Sequence, residues 1–325
     1  MSPQALLLAA AALLLVAASL VAPASAALND ALYRFVAAPS PEYSWTPTGQ
    51  TLAGDGWTGH VLNMTSGRWL NDSYVSRSVW WHDLLVIVPD KLTSLSAGAL
   101  LVAEGKNTAV PYGDDDVAHV MAGRIATETG IVTAVLYQVP NQPTVFYSDK
   151  ERKERGEDSL VAYSWMEYIR TGCEEFAVYL PMARAAVRAM DTVTAFTATL
   201  FDGQGVGQFV IAGASKRGAT SWLAGAYDAS LAPARRRVLG IIPIVFNLLN
   251  FERGISQMYE SLGGWTFAFK DYVREGVTQL LRSKDMERLT AVVDPWSYRE
   301  ELAQVPKYVT CHGTTIWMIF KYSRN

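Results

Sequence analysis

The chain has 325 residues, with Lys+Arg 28 against Asp+Glu 31, so its net charge is −3. Half the residues are hydrophobic and 18% are charged, which excludes an intrinsically disordered chain. The charge balance excludes a nucleic-acid binder held by bulk positive charge, and two cysteines exclude a disulfide scaffold or a cysteine-rich zinc module.

Residues 1–26 carry no charged side chain. An Ala/Leu/Val run from Ala5 to Ala22 ends at Pro23 and the small triplet Ala24-Ser25-Ala26. This pattern predicts a secretory signal peptide over 1–26, cleaved after Ala26, and an extracellular mature chain with no membrane contact. An uncleaved N-terminal membrane anchor is the alternative, because the run approaches the ~18 residues that span a bilayer. Asn63-Met64-Thr65 and Asn71-Asp72-Ser73 are sequons, so Asn63 and Asn71 are expected glycosylation sites in a secreted chain. Cys173 and Cys311 are read either as a disulfide or, preferentially, as a small buried residue and an unrelated tail thiol.

Short continuous apolar runs follow at Leu84–Val88, Ala99–Ala103, Ile131–Val139, Phe209–Ala212 and Val238–Phe246. Runs without polar alternation fit strands covered on both faces, as in parallel sheets. Between them lie helical patterns. Glu174-Glu175 precede Pro181, expected at a first helical position, and Ala183, Val187, Met190 and Thr194 form a stripe. Phe269, Val273, Val277 and Leu280 form a second stripe, and Asp149–Asp158 reads as a loop or cap segment. The alternation predicts an α/β fold with a doubly wound, mostly parallel sheet.

The stretch Gln208-Phe209-Val210-Ile211-Ala212-Gly213-Ala214-Ser215-Lys216-Arg217-Gly218 places Gly-x-Ser between an expected strand and a helix carrying Ala219, Trp222, Leu223 and Ala226 inward. That is the setting of a nucleophile elbow, where a strained turn exposes a serine hydroxyl and needs small neighbours. The residues alone leave two readings equal, a nucleophile and a helix-entry serine. As nucleophile, Ser215 would have the Lys216 backbone N–H as one oxyanion donor and the loop Gly105-Lys106-Asn107 as source of a second. The usual pattern has glycine two places after the serine; here Arg217 holds that place and Gly218 follows.

The string Gly-Ala-Ser-Lys-Arg-Gly at 213–218 resembles that of the PhoPQ-activated pathogenicity-related family, which includes a secreted repressor of proliferation. Further stretches agree in order: Gln138-Val139-Pro140-Asn141-Gln142-Pro143, Leu180-Pro181-Met182, Ala189-Met190-Asp191-Thr192-Val193, Pro243-Ile244-Val245 with Leu249-Asn250, Asp294-Pro295-Trp296-Ser297-Tyr298-Arg299 and Pro306-Lys307-Tyr308-Val309. The family is similar to α/β-hydrolases and serine peptidases, so the resemblance assigns a hydrolase-like domain to 27–309, with cap helices, and the nucleophile position to Ser215. Acyl or peptide hydrolysis is the activity implied for full-length relatives. A non-catalytic signalling protein acting on a cell-surface receptor is the alternative.

In α/β-hydrolases the acid and the histidine follow the serine in chain order. The family would continue past Val309 with a Gly-Asp-Glu segment and a later Gly-His. This chain reads Thr310-Cys311-His312-Gly313 and has 13 residues after His312. A crossover connection alone takes about 12 residues, so a domain truncated before its last strand, with a divergent tail at 310–325, is expected. His312 is the sole histidine after Ser215 and a substitute base only if it comes within hydrogen-bond reach.

Asp114-Asp115-Asp116 reads as a solvated loop more readily than a cation site, and His60, His82 and His119 lack ligand spacing. No metal and no cofactor are expected. Glu157-Asp158 is read as a surface loop, or by analogy with related peptidases as a selector of substrate amines. Arg235-Arg236-Arg237 is too short for a nucleic-acid claim. A small-molecule or peptide substrate, or a receptor, is the partner class that remains.

Overall fold

Asp55-Gly56, with Gly56 at a left-handed φ of 77°, turns strand β1 (Ser44–Gly54) directly into β2 (Trp57–Arg68). The computed structural model describes residues 30–310 except 109, 111 and 114. The expected leader at 1–26, Cys311, His312 and the tail from 311 onward lie outside the described residues.

The hairpin continues into β3 (Val79–Pro89), then β4 (Ser94–Val102), β5 (Ile131–Leu136), the short pair β6 (Thr144–Val145) and β7 (Glu154–Arg155), β8 (Gln208–Ala214) and β9 (Val238–Ile244). Seven strands form one sheet in the order β1-β2-β3-β5-β4-β8-β9. β4, β5, β8 and β9 run parallel; β3 pairs antiparallel with both β5 and β2, so β2 points the same way as the parallel four. Five of the seven strands thus share one direction, with β1 and β3 reversed. The expected parallel strand at Leu84–Val88 is therefore antiparallel. Its unbroken apolar run reflects burial on both faces and not strand direction. β1 was not anticipated at all; nearly every residue along it is exposed, and its register slips between Pro47 and Thr51.

The helices are α1 (Ala31–Ala37), α2 (Val117–Thr129), α3 (Glu157–Thr171), α4 (Tyr179–Leu200), α5 (Lys216–Ser230), α6 (Phe251–Leu262), α7 (Lys270–Arg274), α8 (Lys284–Val293) and α9 (Arg299–Leu302). Successive strand residues point to opposite faces. Leu84, Val86, Leu100 and Val102 join the core under α4 and α5, while Leu85, Ile87, Leu101 and Ala103 join a second core under α2. Each fully buried Leu or Ile here contributes roughly 1.5–3 kcal/mol. Helices on both faces of a sheet in this order make the α/β-hydrolase arrangement. Residues 306–310 add to it: Tyr308 N–H donates to Ile241 O at 3.0 Å and Val245 N–H to Thr310 O at 2.9 Å, with parallel bridges Ile241–Lys307 and Ile244–Thr310.

Two helical expectations change. Pro181 is the third residue of α4 and not its first, because buried Tyr179 and Leu180 extend the helix backward. A first-turn position still needs no N–H from proline. The stripe Phe269–Leu280 is not one helix: Gly276, at φ 85°, separates α7 from a 3₁₀ turn at Val277–Leu280.

Candidate functional site

β8 ends at Ala214 and α5 begins at Lys216, leaving Ser215 alone on the turn at φ 58° and ψ −125°. This backbone is costly for a residue with a side chain and persists where the surroundings enforce it. Two hydrogen bonds do so. Ser215 N–H donates to Ile244 O at 2.9 Å, tying the turn to the tip of β9, and Gly218 N–H returns to Ser215 O at 2.7 Å. A Cβ on Gly213 would lie 2.4 Å from Arg217 O, and one on Gly218 2.7 Å from the Phe246 Cβ. Glycine one place later than usual therefore still meets the need for close approach. Lys216 N–H, at the first helical position, has no intrahelical acceptor and stays available on the positive end of α5.

The two cations after the serine are buried and neutralised. Lys216 and Arg217 side chains are 5% and 6% exposed. Lys216 Nζ lies 2.8 Å from Glu157 Oε2 and 3.3 Å from Asp158 Oδ1. Arg217 grips Glu157 with both terminal nitrogens, one at 2.8 Å from Oε2, and its Nε donates to Val139 O at 2.6 Å. Burial pushes the Glu157 carboxyl up, but the charges of Arg217 and Lys216 override it and hold the group well below the usual carboxylate range. Glu157 and Asp158 open α3. They lie on a helix and not in a surface loop, and both pair with the cations of the elbow. Sequence reasoning missed this pairing because some 60 residues separate the partners.

Gln142 extends the network to the proposed oxyanion loop. Its Nε2 donates to Glu157 Oε1 at 2.5 Å and Gly105 O at 3.0 Å, and its Oε1 accepts Glu157 N–H at 2.6 Å. Asn107 N–H donates to Gln142 O at 2.6 Å, so that amide is already committed. Gly105 sits at φ 152°, and a Cβ there would crowd Gln138 N at 3.2 Å.

Among the described residues the Ser215 hydroxyl has no hydrogen-bond partner, and no histidine meets it. His82 is fully buried, with its ring nitrogens 2.9 Å from Ser66 Oγ and Tyr137 O; burial pushes it down to about 4, which keeps it neutral. His60 packs on Phe196, and His119 stands edge-on to Trp57 and Tyr112. Asp116 caps α2 through Ala118 N–H at 3.0 Å and accepts the Tyr137 hydroxyl at 2.6 Å, while Asp114 lies outside the described residues. Among the described residues no three His, Cys, Asp or Glu gather as a metal site. Asn63 and Asn71 are exposed, and Asn71 Oδ1 accepts Ser73 N–H at 2.9 Å. Cys173 is exposed, not buried as expected, because it sits in the turn after α3.

An apolar cavity of about 260 Å³ opens beside Ser215 and Lys216, walled largely by residues between Val245 and Met286. Its wall is fixed by Asp294, which is 3% exposed and accepts N–H bonds from Phe251 at 2.6 Å, Trp296 at 2.9 Å and Asn250 at 3.2 Å. Burial outweighs those bonds and pushes its carboxyl up to about 6. Folded Asp294 therefore holds its proton above the pH at which the unfolded chain releases it. The resulting stability is present below about pH 4 and is lost as pH rises through about 6. Asp294→Asn forfeits half the acceptor geometry, and its deficit against wild type should shrink by roughly 2 kcal/mol between pH 4 and 7. Urea titrations of both proteins across that range check this, and a flat deficit would contradict it.

Residues 32–315 match the model of the PhoPQ-activated pathogenicity-related protein family. The chain belongs to that family. The PhoPQ-related chain is 36% identical over 269 residues to autocrine proliferation repressor protein A of Dictyostelium discoideum, covering 82% of this chain and 51% of that protein. It thus spans about half the length of this curated relative. Among solved structures it is similar to a glucuronoyl esterase from Solibacter usitatus (TM-score 0.49, 13% identity, 89% of this chain and 73% of that one). An acetyl xylan esterase from Paenibacillus sp. R4 is comparable (TM-score 0.48, 13% identity, 92% of each chain). The strand order and the serine turn, and not these distant likenesses, carry the fold assignment of the PhoPQ-related chain.

Proposed function

We propose that this chain is a secreted serine-hydrolase-like protein with Ser215 at the nucleophile position, and that its catalytic set is incomplete. The strained Ser215 backbone between β8 and α5 carries the reading. Ser215 Oγ would attack an acyl or peptide carbonyl, with Lys216 N–H and an amide of Gly105 or Lys106 receiving the oxyanion. Incompleteness rests on the described residues, where no histidine or carboxylate contacts the Ser215 hydroxyl. Secretion rests on the composition of residues 1–26, and exposed Asn63 and Asn71 would then carry glycans.

A fluorophosphonate probe tests the nucleophile on protein collected from the medium of a secreting host, where an N-terminus at Ala27 verifies removal of the leader. Wild type should label slowly, at least roughly 10⁴-fold below a complete triad enzyme. Ser215→Ala should not label. A folded wild type that fails to label would sink the assignment.

The name of the Dictyostelium relative favours a second reading, a non-catalytic signal acting through its surface. Unchanged growth repression by Ser215→Ala would support it over turnover.

A further inference from the structure

Three properties of the cavity beside Ser215 bear on what it would hold. Its wall includes Phe251, Ile255, Met258, Phe269, Leu281 and Met286, side chains that offer no strong hydrogen bond to a sugar hydroxyl along most of the surface. The charged side chains that reach it, Lys216 and Asp158, lie 3.3 Å apart and cancel, and the Tyr272 hydroxyl donates to the same Asp158 oxygen at 3.2 Å. A carboxylate or an ammonium entering would meet no unpaired counter-charge and would lose its hydration. Finally, at about 260 Å³ the space falls just below the roughly 300–1,000 Å³ of sites for drug-sized ligands, which suits one chain or one ring.

We infer that this cavity is an acyl pocket for neutral esters whose acyl group is an apolar chain of medium length, a reading that rests on Ser215 being the nucleophile position. The chain would lie among the aromatic and methionine side chains, where flexible thioethers adapt to its shape. Its carbonyl would then stand at the polar end, beside Ser215 and the Lys216 N–H. Esters with hydroxyl-rich acyl groups would leave those hydroxyls unpaired against the wall and would be rejected.

The probe is a series of methyl ketones from 2-butanone to 2-decanone, neutral carbonyl compounds that cannot be cleaved, titrated by calorimetry into the full chain. Affinity should rise about three- to fourfold per methylene until the pocket is full. The same ladder should appear in Ser215→Ala, since binding does not need the hydroxyl. Two substitutions at half-buried wall positions, Ala268→Trp and Thr278→Trp, should each weaken the tightest ketone at least about tenfold with the melting temperature retained. Having two guards against one failing to fold. No dependence on chain length, or a ladder that survives both tryptophans, overturns the pocket. An intact ladder without phosphonate labelling overturns the nucleophile and leaves the pocket standing.

Discussion

Glu157→Ala should destabilise the chain by about 3 kcal/mol at neutral pH. Removing one partner of a buried ion pair costs roughly 3–5 kcal/mol, because the charge left behind stays desolvated. Here one carboxylate serves two such charges, Lys216 and Arg217, both nearly inaccessible to water. The Glu157 side chain itself is 39% exposed, so water replaces part of what it supplied and the loss falls at the lower end of the range. The carboxyl is depressed in the folded protein, so its contribution is present above the usual glutamate pKa and lost as pH falls through the lower folded value. The gap between wild type and Glu157→Ala should therefore narrow on acidification below about pH 4.5. Denaturant unfolding at pH 7 and at pH 3.5 reads both effects; equal gaps would refute the ion-pair account. Because Gln142 bonds both Glu157 and Gly105, the same variant should also slow phosphonate labelling of Ser215.

Gly213→Ala should cost about 3 kcal/mol or more, at the upper end of what overpacking exacts. The new methyl would meet the Arg217 carbonyl oxygen at 2.4 Å and its carbon at 2.7 Å, and these are backbone atoms of the first turn of α5. No side chain can swing aside; the helix must move, and Ser215 with it. Gly264→Ala is the control, since a Cβ there meets nothing within 4 Å, and its change should stay within about 0.5 kcal/mol. Chemical denaturation midpoints of the three proteins decide the matter. A Gly213→Ala protein as stable as the control would show that the turn is not sterically locked.

The parts of this fold visible in the sequence were those whose physics is local. The runs at 99–103 and 131–139 became strands that bury side chains on both faces, and those at 209–212 and 238–246 strands with one face buried and the other largely half-buried; such apolar runs leave a mark within a few residues. Ser215 was visible for the same reason, as the small pair Gly213-Ala214 sits next to it. β1 left no such mark, being largely exposed and interrupted. Glu157 could not be paired with Lys216 and Arg217 from a string of letters, since the contact exists only once α3 is laid over the elbow. The stripe Phe269–Leu280 had helical spacing and still failed, because one left-handed glycine stopped it at Gly276. The cavity was hidden for a related reason: its walls come from α3, α6, α8 and the turns between them, and no single segment carries its signature.

The slip in β1 also governs how the molecule meets its own copies. An outer strand with an unbroken row of free amides and carbonyls is a template on which another chain can stack. Here Pro47 offers no amide, Gly49 turns to φ 81°, and the Thr48 hydroxyl reaches inward to Val61 O at 2.9 Å. The row is cut at its middle, so no run of eleven residues is presented to a neighbour. Among the described residues this exposed strand closes its side of the sheet, and the break makes it a poor template for another chain.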